Sequence, residues 1–276
     1  MMLQRSTSRG QAMTEFVIVI PVLVLLIFGA IQIAFIYSAK ITLNYATFQA
    51  ARVGANEHAT YSAMRRGLIR GLAPLYTSSS TMGGFRDDIK EGVSSAARRS
   101  AVSEVDNYVR IVRLSPSAAS LAPSGFGVAN ELGYFELPND NLMYRPGAPH
   151  QGVSLQDANL LKIRVQYCYK LMVPIVNKVV GSLAELRNNR NPASYHPHET
   201  LNDPRFADRN RGSVNDGAGM LGVSDYETLC KDRAGRREGF ILTSEAIVRM
   251  QSAAYDGDPD EEVGDRMCDG EYMVCP

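Results

Sequence analysis

The sequence predicts an α+β protein whose long amino-terminal helix crosses a membrane and then packs on a small antiparallel sheet with large loop insertions. Three observations predict it. Residues 16–37 form an apolar run broken only by Gln32, and at about 1.5 Å per residue roughly twenty residues cross about 30 Å of hydrocarbon. Helical spacing then continues outside that run, with Ile41, Tyr45, Phe48, Ala51 and Ala55 recurring at three- and four-residue steps. Two later segments, 160–171 and 239–250, alternate apolar and polar side chains as half-buried strands do.

The first helix is expected from Gln11 to about His58, a length of about 70 Å, so that about half of it stands clear of the bilayer. Pro21 removes one hydrogen bond early in the span and predicts a local kink. A cleavable secretory signal is disfavoured, because a cut after Ala39 would place bulky Tyr37 where a small residue is required. Arg5 and Arg9, with no acid among the first ten residues, favour an inside amino terminus. Ala30, Ala34, Ser38, Thr42, Ala46, Ala50 and Gly54 place a small residue at every fourth position. Such a ridge lets helix backbones approach and favours a crossing contact. The other reading of the same residues is simply alanine's helix propensity.

Further along, 61–75 reads as a helix through Met64, Leu68, Leu72 and Leu75, weakened by Gly67 and Gly71 and ended by Pro74. A polar linker is expected over 77–84. A helix follows through Phe85, Ile89, Val93, Ala96 and Ala97 to near Ser103, then a strand over 107–114. Residues 174–186 read as a short amphipathic helix with Pro174 in its first turn, and Lys178 and Glu185 exclude a second span. Two segments dense in Gly, Pro, Asn, Asp and Ser, 115–157 and 188–237, are expected to be loop insertions and the place to look for partners. The organisation is thus a leader at 1–10, a long helix at 11–58 with its membrane part at 16–37, and an exported domain at 59–276.

Composition narrows the function. Lys plus Arg equals Asp plus Glu at 29 each, so the basic excess that a nucleic-acid partner demands is missing. The four cysteines, Cys168, Cys230, Cys268 and Cys275, all lie beyond the span, in the even number that an oxidising compartment allows. Four cysteines allow three pairings, and Cys268 with Cys275 is the expected one because six intervening residues form an easily closed loop, an entropic stabilisation of about 2.5 kcal/mol. Cys168 with Cys230 then ties the central strand to a long loop, worth about 4 kcal/mol in the same model. No Cys-x-x-Cys occurs, and His196 and His198 flank a proline with no third ligand near, so both read as loop histidines. Asp256, Asp258 and Asp260 resemble the opening of a calcium loop. Glu261, however, stands where that loop turns on Gly, and Met267 where it needs a bidentate Glu, so a solvated acidic turn is the better reading. The chain has no Gly-x-Ser-x-Gly, phosphate loop, dinucleotide fingerprint or zinc-protease helix, and it reads as a non-enzyme with no cofactor.

Glu15 carries the functional argument. A carboxylate inside a span costs about 3 kcal/mol at mid-bilayer, and it is retained where something pairs with it. If the chain is cut after Gly10, the new ammonium of Gln11 lies four residues before Glu15, an interval shared on one helical face. A first-turn carboxylate also suits the positive end of the helix dipole.

A basic leader, Gly10, four residues, Glu15 and the aromatic Phe16 resemble the leader of type IV prepilins of the Flp and tight-adherence branch. In that branch a Tyr often follows the Glu; here it is Phe16. Leu43-Asn44-Tyr45-Ala46 and Ala50-Ala51-Arg52-Val53-Gly54-Ala55 resemble the helix of TadE-like minor pilins, or pseudopilins, of that system. The likeness covers about the first sixty residues. It implies a pilin-like fold and cleavage by a prepilin peptidase between Gly10 and Gln11. It further implies that Glu15 neutralises a neighbouring subunit's amino terminus, and that the partners are other pilins and the assembly platform. The place implied is the bacterial inner membrane with a periplasmic carboxy-terminal domain, or an extracellular pilus used in surface attachment. Two other readings stay open: an uncleaved, signal-anchored binding protein, and a general-secretion pseudopilin with the same cleavage logic.

Overall fold

The computed structural model describes residues 11–77, 95–145, 147–150, 152–173, 239–268 and 272–275. The leader, the helix expected over 174–186 and the insertion at 188–237 lie outside them. Helix α1 (Gln11–Asn56) runs as one element of 46 residues through Pro21 and out of the apolar segment. It stops where the backbone of His58 and Ala59 turns left-handed, at φ 60° and 55°. Side-chain-bearing residues there are strained, and the segment after the last long strand offsets that strain. Gln251 and Ser252 donate their N–H groups to the Ala55 carbonyl at 2.8 and 3.1 Å, and Tyr255 N–H donates to the His58 carbonyl at 2.9 Å. The His58 ring stacks on Tyr255 at 4.0 Å.

Helix α2 (Tyr61–Leu72) returns along α1. Its two glycines sit on the small residues of α1. A methyl group at Gly71 would stand 2.4 Å from Ala46 Cα, and one at Gly67 would stand 2.8 Å from Ala50 Cα. Backbones this close admit no side chain between them. The start of α2 is capped from far along the chain, because Asp258 accepts from the Ser62 N–H at 2.8 Å and from the Ser62 hydroxyl at 3.0 Å. A carboxylate at a helix start satisfies an otherwise orphaned donor and suits the dipole. After α2 the chain tightens into a 3-10 turn (Ala73–Tyr76) at Pro74.

Helix α3 (Ser95–Tyr108) runs past the expected end near Ser103, because Ala97, Ala101 and Val105 continue a buried stripe at four-residue steps. A two-pronged pair from Arg65 to Asp106, at 2.7 Å on each prong, ties α3 to α2. Strand β1 (Val109–Ser115) follows directly. The segment expected as an insertion at 115–157 holds two short helices, α4 (Ala118–Leu121) and α5 (Leu155–Ala158), and two short strands, β2 (Val128–Ala129) and β3 (Phe135–Leu137). Strands β4 (Leu160–Lys170) and β5 (Gly239–Arg249) pair antiparallel along their full lengths. Strand β6 (Ala254–Tyr255) joins β2 and β3 in a second sheet. The main sheet has the order β5, β4, β1, β7. Its last strand, β7 (Met273–Val274), runs parallel to β1, an exception to the antiparallel expectation.

The core lies where α1 crosses the face of β4 and β5 that carries Leu161, Ile163, Val165, Leu242 and Ala246. The opposite face is not bare either. Arg164 donates to Glu245 at 2.7 Å, Lys162 stands 3.5 Å from the same carboxylate, and all three side chains are at most one-fifth exposed. Burial by itself pushes the Glu245 carboxyl up, but Arg164 and Lys162 outweigh it and hold the group below its ordinary value.

Two expectations follow from this packing. Gly71→Ala gains about 1 kcal/mol of helix propensity but forces α1 and α2 apart, so denaturant unfolding in detergent is expected to show a net loss of about 2 kcal/mol. Unchanged stability would mean that the helices do not meet so closely. Glu245→Gln strands the buried Arg164 and is expected to cost about 2 kcal/mol at neutral pH. Because the folded-state carboxyl titrates below its unfolded value, the wild-type advantage is complete above that unfolded value, near 4.5. It is then lost as the pH falls through the folded one. Urea midpoints of both proteins between pH 7 and pH 3 test the convergence, as an order-of-magnitude window.

Candidate functional site

Along α1 the surroundings change at Gln32. From Phe16 to Ile31 the large apolar side chains stand exposed, and an 18-residue window of mean hydropathy 2.9 is only 6% buried. A core helix of a water-soluble protein would bury that surface. Gln32 is itself buried, and its side-chain oxygen accepts the Val173 N–H at 2.9 Å. The chain leaving β4 therefore reaches down to this one polar group, and the domain begins to cover the helix there. Eight residues further out, Lys40 Nζ donates to the Thr243 carbonyl on β5. Burial lowers the Lys40 pKa, and Glu245 works against that shift.

The outer half of α1 has two sides. Ala39, Leu43, Ala46, Ala50, Ala51 and Ala55 are fully buried against α2 and the sheet. On the other side Tyr37, Ile41, Tyr45 and Phe48 are 67%, 52%, 54% and 45% exposed and form a stripe at four- and three-residue spacing. Two contacts order it: Gln49 donates to the Tyr45 hydroxyl at 2.9 Å, and the Arg52 guanidinium lies over Phe48 at 5.7 Å. Beyond Tyr37 this exposed apolar stripe continues past the apolar run, and contiguous exposed apolar surface of this kind marks interaction sites.

The small-residue ridge is divided between these surroundings. Ala30, Ala34 and Ser38 are exposed, Thr42 is half-buried, and Ala46, Ala50 and Gly54 are buried. A line of every fourth residue winds about the helix, so its outer end turns inward and seats Gly67 and Gly71 while its membrane end faces away from the domain. Gly10 lies outside the described residues, and Gln11 opens the helix. Glu15 and Phe16 are both exposed. Because α1 is already helical at Gln11, Glu15 sits in the second turn, and the expected first-turn dipole placement is corrected accordingly.

Cys268 and Cys275 form a disulfide. Cys168 is disulfide-bonded as well, and Cys230, its expected partner, lies outside the described residues, as do His196 and His198. The three aspartates of the acidic turn each bind backbone. Asp256 accepts from Phe135 N–H at 2.8 Å, Asp258 caps α2, and Asp260 accepts from Glu262 N–H at 3.0 Å. No group of three metal-binding side chains converges among the described residues. Sequence reading passed over two residues. Gln32 was legible only as a break in an apolar run. Arg113 was hidden inside an apolar strand, although strand parity places it on the same face as Ile111 and Val109.

Residues 10–52 match the family described as TadE-like protein. No curated protein and no solved structure matches the chain. The matched stretch includes Glu15, the exposed apolar segment, the Gln32 junction and most of the outer stripe, so the likeness falls on the helix rather than on the domain. The chain is thus similar to TadE-like proteins over this amino-terminal helix, 43 of its 276 residues.

Proposed function

We propose that the chain is a minor pilin or pseudopilin, cut by a prepilin peptidase between Gly10 and Gln11, that packs with other pilins during assembly of a tight-adherence pilus used for attachment. The observation that carries this reading is the continuity of α1. One continuous helix has a bare apolar half below Gln32 and, above it, an outward stripe that its own domain leaves exposed. In this reading 1–10 is a cytoplasmic leader, the span anchors the chain in the inner membrane, and residues 59–276 form the exported domain. Glu15 meets the ammonium of a neighbour's Gln11, which removes the cost of a carboxylate in lipid. Ile41, Tyr45 and Phe48, with the exposed Ala30, Ala34 and Ser38, pack on adjacent helices.

Intact-mass measurement of the protein from cells that possess the peptidase is expected to show loss of residues 1–10 with the apolar helix retained; a full-length chain would sink the proposal. Glu15→Gln is expected to leave insertion intact and abolish incorporation into pili, as read by membrane fractionation against sheared filaments. Normal filaments in that variant would remove the role assigned to Glu15. Ile41→Lys touches no core contact, so its stability should stay at the wild-type level. Co-purification of neighbouring pilins is expected to drop about tenfold, since half-burying an isoleucine is worth about 1 to 1.5 kcal/mol. Undiminished co-purification would show that the stripe is not the packing face.

A further inference from the structure

Arg113 is the one arginine with no exposed surface among the described residues. Its Nη1 donates to the Tyr255 carbonyl at 2.8 Å and to the Ala59 carbonyl at 3.3 Å, while its Nε has no acceptor. No carboxylate among the described residues bonds to it. Asp256 acts on it only through space, and that carboxylate accepts the Phe135 N–H. Burial lowers the guanidinium pKa to about 10, which leaves it charged at neutral pH. Such a cation, surrounded by neutral acceptors, is poorly compensated. The remaining contact is Nη2 to Cys268 Sγ, at 3.5 Å. That sulfur is half of the Cys268–Cys275 disulfide, and both cysteines are partly exposed.

The two sulfurs are therefore not equivalent. Thiol–disulfide exchange proceeds by attack of a thiolate on one sulfur while the other leaves as a thiolate, and the sulfur with the lower thiol pKa leaves faster. A neighbouring guanidinium lowers a thiol pKa. Cys268 has that neighbour, whereas among the described residues no guanidinium or ammonium donates to Cys275. We propose that the Cys268–Cys275 disulfide is a thiol-exchange site for small dithiols or dithiol proteins, in which Cys275 is the sulfur attacked and Cys268 leaves as a thiolate onto Arg113.

The reaction balances with a dithiol as reductant. Its thiolate bonds to Cys275 Sγ, and the Cys268–Cys275 bond breaks with both electrons passing to Cys268. The second thiol then loses its proton and attacks the dithiol's own sulfur in the mixed disulfide. Cys275 is released and takes up that proton. The dithiol is oxidised to a disulfide and the protein disulfide is reduced by two electrons. Strand β7 lies between the two cysteines in sequence, and after reduction its ladder to β1 at Ile111 and Val112 is no longer braced by the staple. The proposal is independent of the assembly role.

Reduced glutathione, a monothiol that arrests at the mixed disulfide, is the probe. The full-length protein in detergent is treated with it, quenched with iodoacetamide and fragmented by mass spectrometry. At least about tenfold more glutathione is expected on Cys275 than on Cys268. Arg113→Met is expected to reduce the bias to within about threefold, and Arg113→Lys to retain most of it. Adducts mainly on Cys268, adducts shared evenly, or an unchanged bias in Arg113→Met would overturn the assignment. Should Arg113→Met fail to fold by circular dichroism, the reduced wild-type protein decides. Its Cys268 is expected to alkylate with a pH midpoint at least about one unit below that of Cys275. Equal or reversed midpoints would overturn the proposal.

Discussion

One rod has to satisfy two solvents, and the rest of the structure is arranged around where that change occurs. Helix α1 is about 69 Å long. Apart from the bond that Pro21 cannot donate, its backbone is internally bonded as a lipid-facing segment requires, so the helix itself need not change at the boundary. What changes is its cover. Below Gln32 the apolar side chains have no protein over them. At Gln32 the strand exit at Val173 hydrogen-bonds to the helix, and from there outward α2, β4 and β5 enclose one side of it. A polar group away from water needs an internal partner, and the Gln32 side-chain oxygen obtains one at the point where the domain can reach, while its amide nitrogen has none among the described residues.

The far end of the helix is fixed by an equally small set of contacts. The Ala55 carbonyl takes three donors from the segment after β5, His58 is held by Ser252, Ala253 and Tyr255, and Asp258 of the same segment caps α2. This segment thus closes the first helix, starts the second and supplies β6 to the small sheet. The left-handed backbone at His58 and Ala59 persists because hydrogen bonds on both sides determine it. Buried charge is treated in two ways. Glu245 has Arg164 and Lys162, whereas Arg113 has carbonyls and a sulfur. The first arrangement compensates charge with charge, and the second leaves a cation on which Asp256 acts only through space.

Much of the fold was readable residue by residue. The apolar run predicted the bare segment, the period of two in 160–171 and 239–250 predicted β4 and β5, and Pro74 marked the end of α2. The start of β1 was read two residues early because Asn107 and Tyr108 suit a strand locally, yet they continue the helix whose buried stripe includes Ala101 and Val105. The segment 115–157 looked irregular because strands of two and three residues leave no period to detect. Asp256, Asp258 and Asp260 suggested a cation by their spacing, and in the fold each is engaged with backbone N–H groups, two of them far away in sequence.

What the sequence by itself determined is whatever depends on local period and solvent preference: one apolar rod, the placement of a lone acid near its start, and the two long strands. Tertiary structure alone decided which side of the rod is available to a partner. A ridge of small residues at every fourth position is equivalent along its length in sequence. Winding about the axis turns its outer end onto Gly67 and Gly71 and its membrane end away from the domain. The same holds for Arg113 and Cys268. They are distant in the chain, and only the pairing of β1 with β7 and the fold of the acidic turn bring the guanidinium to the sulfur.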